Sequence, residues 1–432
     1  MATFEIFTLG CKVNQYESEA IAELLEARGL TQLHGEEKCD LCIINTCTVT
    51  GESDRKARQI IRRAITKNPN AYILVTGCLA ETNLESIKSI KGVDYVCGNA
   101  DKTKIAEAAI ALLEEGSKNS APVCDVTDIE SAKFEKMSIT KFDRTRAYIK
   151  IEDGCESHCT YCIIPKARGK IRSKPFDEVI EEVKKLTEGG CREIVLTGIE
   201  TGSYGRDIGS SLADLLEAVD KIDGIGRIRL GSLDPSIMNP DFVGRISKLK
   251  SLAHHFHISM QSGSNSILRA MKRKYNAQMA MESINAIRLA MPDTCFTTDI
   301  IVGFPGETEE LFEETVEFAK NAKFLMMHVF PYSIRTGTPA ASMSDQVDMA
   351  VKKDRVSRLS AVGKEIRNNI LSDAIRNTRN ASVLFEDYKN GFAYGHTDNF
   401  IEVKIRSDRS LHSELHTVNF VSIDGDAIFS VI

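Results

Sequence analysis

The chain has 432 residues, 42% hydrophobic and 27% charged, which is the make-up of a folded globular protein and excludes wholesale disorder or a fibrous repeat. Lys and Arg number 55 against 61 Asp and Glu, a net charge of −6, so a uniformly basic nucleic-acid binder is excluded and any polyanion site must be a local patch. Twelve cysteines are too dilute for a disulfide scaffold. No apolar run has the length of a membrane span, and Met1–Gly10 has no basic stretch leading into an apolar core. A reducing, cytoplasmic setting is expected, with no membrane partner and no DNA, and cysteine clusters there point to metal or redox chemistry.

The first elements alternate. Phe4–Leu9, Leu41–Ile44 and Tyr72–Val75 are short apolar runs rich in β-formers, and Glu17–Arg28 and Asp54–Lys67 between them carry apolar residues at helical spacing. This βαβαβ pattern predicts a parallel sheet over residues 1–116. Residues 117–144, with Ser117, Asn119, Ser120 and Pro122, read as a linker. Over residues 145–376 strands at Ala147–Ile151, Glu193–Leu196, Arg227–Leu230, His255–Met260, Cys295–Val302 and Phe324–Phe330 alternate with helical patterns. Repeated βα units predict a full or partial α/β barrel with its site at the carboxyl ends of the strands, followed by a long helix from Asp345 to about Arg376. Residues 377–432 break into five short strands, the pattern of a small all-β barrel or sandwich.

The sharpest motif is Cys155-Glu-Ser-His-Cys159-Thr-Tyr-Cys162. Three thiolates spaced C-x3-C-x2-C can wrap one face of a cubane cluster and leave its fourth iron open to a ligand. A structural zinc knuckle is the bland alternative, but zinc takes four closed ligands, and the nearest fourth, His158, lies inside the same tight loop. A second set follows from placement: Cys11, Cys47 and Cys78 each stand just beyond an apolar strand, at what would be one carboxyl edge of a parallel sheet. Gly10 and Gly77 precede two of them and would let the backbone approach a bulky group. Cys39-x2-Cys42-x4-Cys47 offers a competing knuckle, disfavoured because Cys42 lies within an apolar strand.

The 155–162 motif, with Tyr161 before its last cysteine and a position just after the first barrel strand, resembles the radical S-adenosylmethionine superfamily. That resemblance implies an open iron chelating S-adenosylmethionine, whose reductive cleavage gives a 5′-deoxyadenosyl radical. The segments Thr8–Ser18, Asn45–Thr50 and Val75–Cys78 resemble the N-terminal domain of the methylthiotransferases, and the last domain resembles a TRAM domain. Gly-Cys-Lys-Val-Asn at 10–14 is similar to the branch acting on threonylcarbamoyladenosine in tRNA. The resemblance implies two 4Fe–4S clusters, one on Cys11, Cys47 and Cys78 and one on Cys155, Cys159 and Cys162. It also implies two S-adenosylmethionine molecules, an external electron donor, a sulfur source that the residues do not identify, and methylthiolation at carbon 2 of the adenosine at position 37. The isopentenyladenosine and ribosomal-protein branches are the alternatives within the family, and a zinc-containing RNA-binding module is the alternative outside it.

Polar and glycine residues at strand ends are where S-adenosylmethionine is expected. By resemblance Tyr161, Thr197, Gly198, Ser232, Asp234 and Gln261 match contact segments, Asp299 and Gly303 lie on the same predicted rim, and Glu200 stands where His or Asn is usual. For tRNA phosphates two basic runs stand out: Arg55, Arg58, Arg62 and Arg63 on one predicted helix, and Lys166, Arg168, Lys170 and Arg172 after the cysteine loop. Arg269 to Lys274 makes a third group. The last domain is acidic, so strong phosphate binding by it is not expected.

Overall fold

The structure is a computed structural model and describes every residue except 36, 119, 120, 143 and 379. Strands Thr3–Thr8 (β1), Thr31–Gln32 (β2), Leu41–Thr46 (β3), Tyr72–Gly77 (β4), Tyr95–Cys97 (β5) and Val123–Asp125 (β6) form a parallel sheet in the order β2-β1-β3-β4-β5-β6. β3 and β4 are buried along their whole length, which is why they read as continuous apolar runs rather than alternating ones. β6 lies in the stretch that reads as a linker. Three residues show no periodicity, yet they pair with β5, and the same stretch buries Met137 and Ile139; Asn119 and Ser120 fall outside the described residues.

The helix Gly51–Lys67 starts at Thr50, whose side chain accepts from the Ser53 amide at 3.1 Å, and it buries Ala57, Ile61 and Ala64 on one stripe. The helix Lys12–Glu26 is buried more widely. Tyr16, Ile21 and Leu25 share a core with Ala147 and Ile149 of the next domain, so the two units pack on this helix.

The central barrel is partial and split. Strands Ala147–Lys150 (β7), Glu193–Thr197 (β10) and Arg227–Leu230 (β11) make one parallel sheet in the order β11-β10-β7. His255–Gln261 (β12), Cys295–Val302 (β13) and Met326–Pro331 (β14) make another, in the order β12-β13-β14; Glu152–Asp153 (β8) and Arg172–Ser173 (β9) form a small antiparallel pair. The isolated bridge Leu233↔Ile258 links the halves. β7 and β14 therefore bound an open side, and Arg335, just past β14, reaches the N-terminal unit there, donating to Asp54 at 2.7 Å and Thr48 at 2.6 Å.

Helix Met349–Asn377, about 43 Å long at 1.5 Å per residue, packs along β14 and leads to a closed barrel of Asn380–Lys389 (β15), Phe392–Thr397 (β16), Glu402–Arg406 (β17), Leu415–Asp424 (β18) and Ala427–Val431 (β19). This barrel sits under the strand starts of the central one. Phe400, at φ +71°, stacks between His255 and His396 with ring centroids 4.4 and 4.5 Å away. Beside it Glu193 accepts from Arg229 (2.8 Å) and Arg227 (2.9 Å) and is ion-paired with Arg146 (2.7 Å). Although burial opposes ionisation, these guanidiniums hold the Glu193 carboxyl down to about 2.

Candidate functional site

β1, β3 and β4 are neighbours, and Cys11, Cys47 and Cys78 emerge together at their carboxyl edge. The turns are glycine-dependent. Gly77 has φ +98°, and a Cβ there would meet the Thr46 carbonyl oxygen at 2.4 Å; at Gly10, also at φ +98°, a Cβ would lie 2.9 Å from the Cys47 sulfur. Asn14 ties two of these turns by donating to the carbonyls of Leu9 (2.7 Å) and Thr46 (3.0 Å). The Cys11 thiol exposes surface into an enclosed space, and that enclosure raises its pKa against the pull of Arg168; burial also pushes Cys47 up, to about 11. The sulfurs of Cys11, Cys47 and Cys78 lie within electrostatic reach of one another.

Arg168 connects this edge to the central barrel. Fully buried, it donates to the Cys78 sulfur (3.4 Å), to Glu17 (2.6 Å), to Asp153 (3.1 Å) and to Asn14 (2.5 Å). Lys102 and Lys150 also bond Glu17. Three buried cations, Arg168, Lys102 and Lys150, are thus packed with two carboxylates, Glu17 and Asp153; Arg168 pulls Cys11 toward thiolate, but burial outweighs that pull.

The 155–162 loop begins after β8. Ser157 and Ile164 amides donate to the sulfurs of Cys155 and Cys162, at 3.3 and 3.4 Å. Arg273 donates to the Cys159 sulfur (3.1 Å) and is held by Asp234 (2.8 Å). The Cys155 thiol donates to Glu200 (3.2 Å), and burial pushes Cys162 up to about 11. Among the described residues no three His, Cys, Asp or Glu side chains converge as ligands of a single ion would. Thiolates on a cubane each take a separate iron and need no such convergence. Three thiols per site, amides aimed at two of them, an arginine at Cys78 and another at Cys159, and bare glycine backbone against Cys47 fit an iron–sulfur cluster at either place. Cys39 and Cys42 pair with each other at 3.3 Å in the sheet's core and stand apart from these sets.

A cavity joins the loop set to the turn after Cys47, with Cys162 the one thiol of the two sets in its lining. It measures about 360 Å³ and is walled by Val49 and Thr50, just past Cys47, and by Tyr161, Cys162, Gln261 and Asp299. Thr197 ends β10 on the same side, and Ser232 follows β11 half-buried. The backbone at Gly198 presses on the buried Glu152, which takes the Glu200 amide at 2.8 Å. Gly303 departs from expectation: its amide is bound by Glu307 (2.5 Å), and a Cβ on it would strike Lys352 at 2.3 Å. It therefore packs against the long helix and does not present a ligand contact. Asp234 is likewise engaged with Arg273, and Glu200 with Cys155, Ser157 and Lys274.

The basic runs divide. Arg55, Arg62 and Arg63 are exposed and Arg58 half-exposed on one helix, with Arg55 paired to Glu52. Lys166 and Lys170 are exposed. Arg168 and Arg172 are not available to phosphate: both are buried on Asp153, Arg172 at 3.6 Å, so their place in the RNA-binding set is corrected. Arg273 is occupied in the same way by Asp234 and Cys159. Sequence reasoning also missed Asn14, Glu17 and Glu152; a buried carboxylate or amide that braces a turn carries no local signal. Lys12 lies in the conspicuous Gly-Cys-Lys stretch and was passed over. It is exposed, and its ammonium lies 6.0 Å from the Tyr148 ring centroid.

Residues 149–319 match the radical SAM superfamily, and residues 3–98 match the family described as "Uncharacterized protein family UPF0004". Membership of the superfamily implies a 4Fe–4S cluster and S-adenosylmethionine. The fold is similar to that of a radical S-adenosylmethionine methyltransferase, TsrM, from Kitasatospora setae, with a TM-score of 0.57 at 16% identity over 79% of this chain and 77% of that one. The chain is 41% identical to the threonylcarbamoyladenosine tRNA methylthiotransferase MtaB of Bacillus subtilis (strain 168), covering 98% of this chain and 94% of the relative. It is 38% identical to the Thermotoga maritima protein of that name, covering 100% and 97%. The tRNA-2-methylthio-N(6)-dimethylallyladenosine synthase of Pelotomaculum thermopropionicum is 35% identical over 95% of this chain and 93% of its own length. The chain belongs to the radical S-adenosylmethionine tRNA methylthiotransferase family. No helix among the described residues is long and apolar enough to cross a membrane.

Proposed function

We propose that this protein converts N6-threonylcarbamoyladenosine at position 37 of tRNA to its 2-methylthio derivative, with two 4Fe–4S clusters, one held by Cys11, Cys47 and Cys78 and one by Cys155, Cys159 and Cys162. The observation that carries the reading is the cavity whose walls include Cys162 of the loop set and Val49 and Thr50 of the turn after Cys47. A base lying there has sulfur chemistry on one side and radical chemistry on the other. The chemistry that such clusters and S-adenosylmethionine supply when bound is one-electron cleavage of a sulfonium and transfer of a methylated sulfur.

The chain's own residues bind, orient and shield. Arg273 places a positive charge on Cys159, and Arg168 does so on Cys78. Tyr161 and Phe330 give flat apolar walls suited to adenine, and Gln261 and Asp299 supply polar edges. The division of labour follows the chain: residues 1–116 carry the strand-end thiols, 145–376 the radical chemistry, and 377–432 a small β-domain. Arg55, Arg58, Arg62, Arg63, Lys166 and Lys170 line the approach for tRNA phosphates, and the electron comes from an external donor. The relatives named for threonylcarbamoyladenosine stand at 36–41% identity and cover 92–100% of this chain, which supports this substrate over dimethylallyladenosine. Mass spectrometry of tRNA nucleosides from cells lacking the protein tests it: the 2-methylthio form of threonylcarbamoyladenosine disappears. Its persistence alongside loss of the methylthio dimethylallyl form moves the substrate to the other branch.

A further inference from the structure

Lys12 follows the thiol Cys11 directly and starts the helix Lys12–Glu26. The charged groups nearest its ammonium are Arg146, Arg229, Asp299 and the Cys11 thiol. Each of the others already has a partner. Arg146 and Arg229 are paired with Glu193, Arg146 also with Glu386, and Asp299 faces His257 at 3.4 Å. Three further cations, Lys150, Arg168 and Arg273, are paired with Glu17, Asp153 or Asp234. Lys12 alone among them makes no ion pair or hydrogen bond among the described residues; its closest aromatic neighbour is Tyr148. Lys12 is solvent-exposed, so its ammonium is open to an anion from outside and has no counter-ion of its own to displace.

That anion can be narrowed by position. Lys12 follows Cys11 directly and so stands on the strand-end thiol side. Asp299 is common to its surroundings and to the 360 Å³ cavity, so a base in that cavity lies within reach of it. We propose that Lys12 determines substrate specificity by pairing with the carboxylate of the N6 substituent on the adenosine to be methylthiolated. This rests on the substrate reading above. A threonylcarbamoyl group ends in a carboxylate; a dimethylallyl group has none, so the same ammonium attracts the first and is left unpaired by the second.

The test measures Kd of the cluster-loaded protein for one tRNA carrying either threonylcarbamoyladenosine or plain adenosine at position 37. The wild-type protein favours the modified tRNA. Lys12→Met lowers affinity for it by roughly ten- to hundredfold, the worth of a charge-assisted contact, and leaves binding of the adenosine tRNA and the iron content as they were. Lys12→Arg restores most of the preference. An equal loss for both tRNAs reassigns Lys12 to a backbone phosphate, and a loss of S-adenosylmethionine binding without tRNA reassigns it to the cofactor's carboxylate; either overturns the proposal, as does a preference unchanged in Lys12→Met. If the wild type itself neither prefers nor methylthiolates the threonylcarbamoyl tRNA, the failure lies in the substrate reading.

Discussion

The two cysteine sets are built in opposite ways. Cys155, Cys159 and Cys162 lie within eight residues of chain, and the amides that approach their sulfurs come from Ser157 within that stretch and Ile164 two residues past it. Cys11, Cys47 and Cys78 are drawn from three strands, and the arginine on Cys78 comes from another domain. A loop site owes its geometry mainly to local chain. A strand-end site inherits its geometry from the whole sheet and from the docking of its neighbour, so damage far away in sequence should reach it first.

The largest effect expected is on chemistry. Cys155→Ala should abolish 5′-deoxyadenosine formation and methylthiolation together, whereas Cys78→Ala should abolish methylthiolation and leave 5′-deoxyadenosine formation. Iron should fall in each from about eight to about four per chain, the content of one cubane. Iron still near eight in Cys78→Ala would break the comparison at its root. Arg168→Met leaves Glu17 and Asp153 short of a buried partner, so stability should drop by about 3–5 kcal/mol, and the strand-end set should lose iron before the loop set in a chelator challenge. Equal loss from both would make Arg168 a general brace.

Glu193→Gln, on the barrel floor, is a control. With its carboxyl near 2 in the fold and about 4.3 in the unfolded chain, Glu193 stabilises above pH 4.3. That contribution, about 3 kcal/mol, disappears as pH falls from 4.3 to 2. The variant should therefore be less stable at pH 7 and should lose the acid-sensitive part of its unfolding curve, with iron retained equally by both sets. Gly77→Ala must place a methyl against the Thr46 carbonyl at a left-handed backbone angle; about 2–3 kcal/mol and selective loss of the strand-end iron are expected from iron analysis and thermal melts. The smallest effect should come from Arg62→Glu with Arg63→Glu, which reduces tRNA affinity and flattens its salt slope by about two. An unchanged slope assigns that helix face to solvent.

Much of this was legible in the chain, for reasons that differ by element. The strands β3 and β4 are buried on both faces and so appear as unbroken apolar runs, while Thr50 and the stripe Ala57, Ile61 and Ala64 mark a helix and its start. Both cysteine sets could be placed, one from spacing and one from strand ends. Charge was less legible, because a lysine or arginine reads alike whether its partner is water or a carboxylate remote in sequence. Arg168 meets Glu17 from 151 positions away, and Arg172 meets Asp153 across the β8–β9 pair. Short β6 was lost because three residues cannot show a period, and Gly303 because a glycine on a strand end does not say which side it leaves bare.

Phe400 is wedged between His255 and His396 beneath the barrel. Its ring and the Glu193 ion cluster join the small β-barrel to the starts of β10, β11 and β12, so the last domain braces the central one from behind and leaves the carboxyl ends of the strands free.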